Sequence, residues 1–81
     1  MPAAETNRSI EQLQNRIAAI KELPETVRSD VIVALGAARE ESQATEFTAR
    51  LDEALAILER ETGATAEAAE LAQAIRRLRP A

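Results

Sequence analysis

Apolar residues recur along this chain at spacings of three and four, the period of an α-helix, in four successive blocks. In the first block Ile10, Leu13, Ile17 and Ile20 line one face, with Glu11, Asn15 and Glu22 on the other. Ser9 and Gln12 have the form of a capping box, with Asn7 as a rival cap, so this helix is expected over 9–22. Residues 1–8 then read as a disordered tail ahead of a single helical domain at 9–79. Pro24 ends the first helix, because proline restricts the residue before it and has no N–H to donate. It also suits the first position of a second helix, with Glu25 in the first turn where the positive end of the dipole favours an anion.

The second block, over 25–41, places Val27, Val31, Ala34, Leu35 and Ala38 on one face. Its β-branched run Val31-Ile32-Val33 suggests a strand, but alanines and glutamates surround it and no alternation of period two continues. The third block, over 45–62, carries Phe47, Leu51, Ala54, Leu55 and Leu58, and Gly63 provides a helix stop. The fourth, over 66–79, is capped by Thr65 and carries Leu71, Ile75 and Leu78, with Ala68 and Ala72 beside them. Glu67 and Glu70 near its start and Arg76, Arg77 and Arg79 near its end match the helix dipole.

The junction of the second and third blocks contains neither proline nor glycine. Phe47 lies about 160° around a helix from Val31, so an unbroken rod would carry its apolar stripe to the opposite side. That predicts a break near 42–45. The alternative is one long helix with two apolar faces, on which Val33, Ala37, Ala44, Phe47 and Leu51 share a side. The fold expected is all-α: a small bundle of three or four short amphipathic helices, completed by dimerisation or by a partner.

Composition explains the last clause. The chain has 81 residues, room for one domain. Of its apolar residues 18 are alanine, which leaves 19 larger side chains, and Phe47 is the one aromatic residue. Small chains often lean on disulfides, metals or oligomers. There is no cysteine, so disulfides are excluded, and with no histidine either a structural zinc site is not expected. Self-association or docking on another protein remains.

The net charge of −4 disfavours nucleic acid as a partner, since affinity for phosphates comes mostly from basic side chains. Residues 1–5 show no basic segment followed by an apolar run, so no signal peptide is expected. The apolar stretch from Val31 to Ala38 is too short to cross a bilayer. A cytoplasmic location is expected, consistent with the lack of cysteine.

Catalytic chemistry has little to work with. There is no His, Cys or Tyr, and Lys21 is the one lysine, so a histidine-dependent triad cannot be assembled. The paired carboxylates Glu40 and Glu41, and Glu59 and Glu61, read as solvated helix faces near Arg39 and Arg60. No enzyme, cofactor or metal is expected. The basic cluster Arg76, Arg77 and Arg79 is a candidate polyanion contact, but dipole compensation and pairing with nearby glutamates explain it more simply.

Large apolar residues off the main stripes are more informative. Ile32 lies about 100° from Val31, Val33 about 160° from it the other way round, and Ile57 about 80° from Phe47. Gly36, inside a helix, costs about 1 kcal/mol relative to alanine unless a close crossing needs it. Ile32, Val33, Gly36, Ala37, Phe47 and Ile57 are therefore candidates for a face that meets another chain. The functional expectation is a non-enzymatic protein–protein interaction module: a small regulator, adaptor, inhibitor or assembly subunit working through that face. The runner-up is a nucleic-acid-associated regulator using the C-terminal arginines.

Overall fold

Four helices follow one another, α1 Ala4–Ala18, α2 Glu25–Glu40, α3 Ala44–Glu61 and α4 Ala66–Leu78. They come from a computed structural model that describes residues 4–61 and 66–79. The first helix starts earlier than the capping signal suggests. Residues 4–8 are helical, Glu5 takes the first-turn position that favours an anion, and Ser9 lies inside the helix rather than at its end. The capping box at Ser9 is therefore not used, and Asn7, also interior, is not a cap. Nothing between Pro2 and Ile10 breaks a helix, and Ala4, Glu5 and Arg8 favour one. Residues 1–3 of the expected tail lie outside the described residues.

The other end of α1 is shorter than expected, at Ala18 rather than near Glu22. The chain tightens there into bonds to the third residue back, from the N–H of Ala19 to Arg16 O at 3.2 Å, of Ile20 to Ile17 O at 3.1 Å and of Leu23 to Ile20 O at 3.3 Å. This turn carries Ile20 and Leu23 inward, where both are buried. Arg28 Nη1 donates to Ala18 O at 3.5 Å, meeting one of the carbonyls that a helix C-terminus leaves free. Pro24 sits just before α2 rather than as its first residue, with φ −56° and ψ 145°. Its carbonyl accepts from the Arg28 N–H at 3.0 Å.

The break between α2 and α3 is real, and the single-rod alternative is excluded. Glu41 is extended, with φ −80° and ψ 137°, and Gln43 O accepts from the Phe47 N–H at 2.9 Å to open α3. The reason is the one the periodicity gives: only a turn lets both apolar stripes face one interior. The glycine stop at Gly63 and the cap at Thr65 lie outside the described residues, and α4 ends at Leu78, one residue early.

Specific contacts fix the topology. Arg28 reaches Ala18 and Gln14 reaches Ile32, so α1 and α2 run antiparallel. Arg76 meets Glu59 and Arg79 meets Asp52, so α3 and α4 do too. Arg50 meets Glu41 across the α2–α3 turn, and Arg16 faces Glu70. Each helix packs on two neighbours, α1 on α2 and α4, α3 on α2 and α4, which closes an up-down-up-down bundle.

The stripes meet in its centre. Ile10, Leu13 and Ile17 of α1, Val31 and Leu35 of α2, Phe47, Leu51, Leu55 and Leu58 of α3, and Leu71 and Ile75 of α4 are all buried. Ala34, Ala38, Ala54, Ala68 and Ala72 are buried among them. Val27, Ile32, Ile57, Ala74 and Leu78 pack against this core from partly buried positions. No buried polar or charged residue occurs among the described residues. No helix there is long and apolar enough to cross a membrane.

Candidate functional site

The six residues singled out for a contact face do not form one surface. Phe47 is buried, only 7% exposed, and belongs to the core. The turn at 41–43 reorients α3, so Phe47 no longer shares a side with Val33 as it would on a continuous rod. Ile32 and Gly36 lie toward α1. Gln14 Nε2 donates to Ile32 O at 3.0 Å, and a Cβ on Gly36 would meet that same nitrogen at 3.4 Å. Residue 36 is one turn after residue 32, so its lack of a side chain leaves the Ile32 carbonyl open to a second donor.

Val33, Ala37 and Ile57 do come together. They line an open groove of about 430 Å³ between α2 and α3, with Ala34 and Ala56 also on its floor. Val33 is 67% exposed, the one large apolar residue fully on the outside among the described residues. Ile57 is half-buried beside it. Four charged side chains rim the groove: Asp30 from α2, and Arg50, Glu53 and Arg60 from α3.

The charges differ in how they are engaged. Arg50 donates through Nε to Glu41 Oε2 at 3.1 Å and through Nη1 to Glu53 Oε1 at 3.3 Å. These hydrogen bonds, the one to Glu41 foremost, hold its guanidinium charged even more firmly than usual. Arg60 Nε reaches only the Ala56 carbonyl of its own helix, at 3.4 Å. Neither Arg60 nor Asp30 forms an ion pair among the described residues.

No comparison with protein-family models, curated proteins or solved structures returns a match. The surface must therefore be read from its own chemistry. The arginine cluster is divided by its helix. Arg76 Nη2 binds Glu59 Oε2 at 2.6 Å and Arg79 Nε binds Asp52 Oδ1 at 3.2 Å, both fastening α4 to α3. Arg77 points the other way. With Arg16 it borders a shallow cleft between α1 and α4 floored by Leu13, Ala74 and Leu78.

Of the paired glutamates, Glu41 is taken by Arg50 and Glu59 by Arg76, while Glu40 is exposed. Among the described residues no three acidic side chains gather as a metal site would need. The missed element is Asp30 with Arg60. Thirty residues apart in sequence, they are brought to one groove only by the antiparallel pairing of α2 and α3, which periodicity within a single helix does not reveal.

Proposed function

We propose that this chain is a non-enzymatic protein–protein interaction module, a small regulator, adaptor, inhibitor or assembly subunit, that works through the groove between α2 and α3. The observation that carries the reading is Val33. It stands 67% exposed beside Ala37 and the half-buried Ile57, in a groove rimmed by charge. An apolar floor with a polar rim is the anatomy of a protein contact surface. A cysteine-free chain suits a reducing compartment, and the cytoplasm is the location proposed.

A photoreactive amino acid placed at Val33 in the full chain tests the reading inside the source cells, with exposed Ala69 of α4 as the control position. Irradiation is expected to give discrete higher-mass protein adducts from position 33 and not from 69. No adduct at 33, or the same adducts at both positions, would overturn it. The nucleic-acid reading is weaker, because two of its three arginines are bound to carboxylates of α3 and the third faces another way.

A further inference from the structure

We infer that the occupant of the α2–α3 groove is a second copy of this chain, paired about a two-fold axis that runs along the groove. The inference rests on the interaction-module reading and names the partner.

The argument is one of charge and register. The Glu41–Arg50 contact sets the antiparallel register of the two helices. Stepping back along α2 and forward along α3 from it puts Ala37 level with Glu53, Val33 and Ala34 level with Ile57, and Asp30 level with Arg60, all lining the same groove. At that last level an anion stands on the α2 rim and a cation on the α3 rim, and neither has an ion-pair partner among the described residues.

A two-fold axis along the groove lays α2 of each copy over α3 of the other at the same height. Asp30 then faces the partner's Arg60, and Arg60 faces the partner's Asp30, which gives two complementary pairs from one surface. The same operation sets Val33 on the partner's Ile57, twice, and so covers the most exposed apolar side chain with the apolar residue best placed to receive it. An isologous interface requires this kind of self-complementarity.

The competing axis, across the groove, would set α2 on α2 and α3 on α3. It would carry Arg60 toward an Arg50 already engaged by Glu41 and Glu53, and would leave Asp30 away from the partner's Arg60.

The bundle is 32 Å long and 19 Å across, so the groove offers no more than a small interface. Stable complexes bury about 800 Å² per partner, and this face sits at or below that. The association is therefore expected to be weak and reversible, chiefly monomeric at low micromolar concentration and dimeric toward about 1 mM.

Sedimentation velocity and equilibrium on the full chain, from about 10 μM to about 1 mM, read it directly. Asp30→Arg alone makes both rims positive at that level, and Arg60→Asp alone makes both negative. Each is expected to weaken self-association at least about tenfold, while circular dichroism shows the fold retained. Mixing the two single variants is expected to restore a dimer containing one of each, and the double variant D30R/R60D is expected to dimerise again on its own. A strictly monomeric chain at 1 mM, or a dimer indifferent to these reversals, overturns the inference. In the first case the interaction-module reading survives if position 33 still yields adducts with a different protein, and it falls too if there are none.

Discussion

Two valines two residues apart in α2 give the sharpest test of this structure. Val31 is fully buried and Val33 is 67% exposed. They share a residue type, a helix and nearly the same distance from the helix ends, so Val→Ala at each site changes helix propensity by the same amount, a gain of about 0.5 kcal/mol. What differs is burial. Removing two methyl groups from a buried site costs about 1.6 kcal/mol in transfer free energy, and the cavity left behind raises this to about 2–3 kcal/mol. After the propensity gain, Val31→Ala should destabilise the chain by about 2 kcal/mol. At 4–8 °C per kcal/mol for a domain of this size, its Tm should fall by about 8–16 °C.

Val33→Ala loses only about a third of the transfer term, roughly 0.5 kcal/mol, which the propensity gain cancels. Its stability should stay within about 0.5 kcal/mol of the parent. Urea unfolding followed by circular dichroism reads both, at about 5 μM so that self-association adds nothing. Equal losses at the two sites would refute the placement of α2, because the two valines lie on nearly opposite sides of that helix and only a rotation by about a quarter turn would bury them alike.

Leu23 lies outside every helix yet is only 1% exposed, so Leu23→Ala should cost about 2–4 kcal/mol in the same unfolding assay. Gly36→Ala should stabilise by about 0.5–1 kcal/mol and raise Tm, since the added Cβ meets only the far end of Gln14 at an ordinary contact distance of 3.4 Å. Gln14→Ala should cost about 1 kcal/mol for the lost half-buried hydrogen bond to Ile32 O, and the Gly36→Ala gain should be larger in that background. Arg79→Ala should cost less than about 1 kcal/mol, and the loss should shrink in 1 M NaCl, as expected for a half-exposed pair with Asp52.

The helical stripes were legible because each depends only on residues three and four apart. Ile10, Leu13 and Ile17, or Phe47, Leu51 and Leu58, announce a buried face without reference to the rest of the chain. The existence of a break between α2 and α3 is legible for a related reason, since two stripes out of phase on one rod cannot share a core, although periodicity puts it near 42–45 and the turn occupies 41–43. Leu23 was not legible, because it lies in a turn where no periodicity applies and its burial depends on how α1 and α2 are joined. The start of α1 is not legible, because Ser9 and Gln12 satisfy the form of a capping box whether or not the helix begins there. The contact face was half legible. Val33 and Ile57 stand out by lying off their stripes, but angles within single helices also put Phe47, Ile32 and Gly36 on the same surface. Only the packing of α2 against both α1 and α3 separates them.

The expectation of an inadequate core needs a physical amendment. Counting large side chains undervalues alanine, and among the described residues 5 of the 18 that are buried are alanines. Helix axes approach more closely when the contact residues are small, so there is less space to fill. A closely packed bundle can therefore bury thirteen large side chains plus these alanines with no fully buried polar residue among the described residues. The exposed surface of 4955 Å² agrees with the roughly 4,800 Å² expected for a folded monomer of this mass. Nothing in the interior demands a second chain. The case for a partner thus moves from the core to the surface, where it is narrower and easier to test. A β-branched residue at an exposed helix position is a poorer helix former than alanine and contributes almost nothing to packing at that depth. One such residue alone is ordinary. Val33, though, continues into Ala37 and Ile57 beside Asp30 and Arg60, neither of which forms an ion pair among the described residues, and the packing of the core does not require that combination. We propose that its reason lies in what the groove meets.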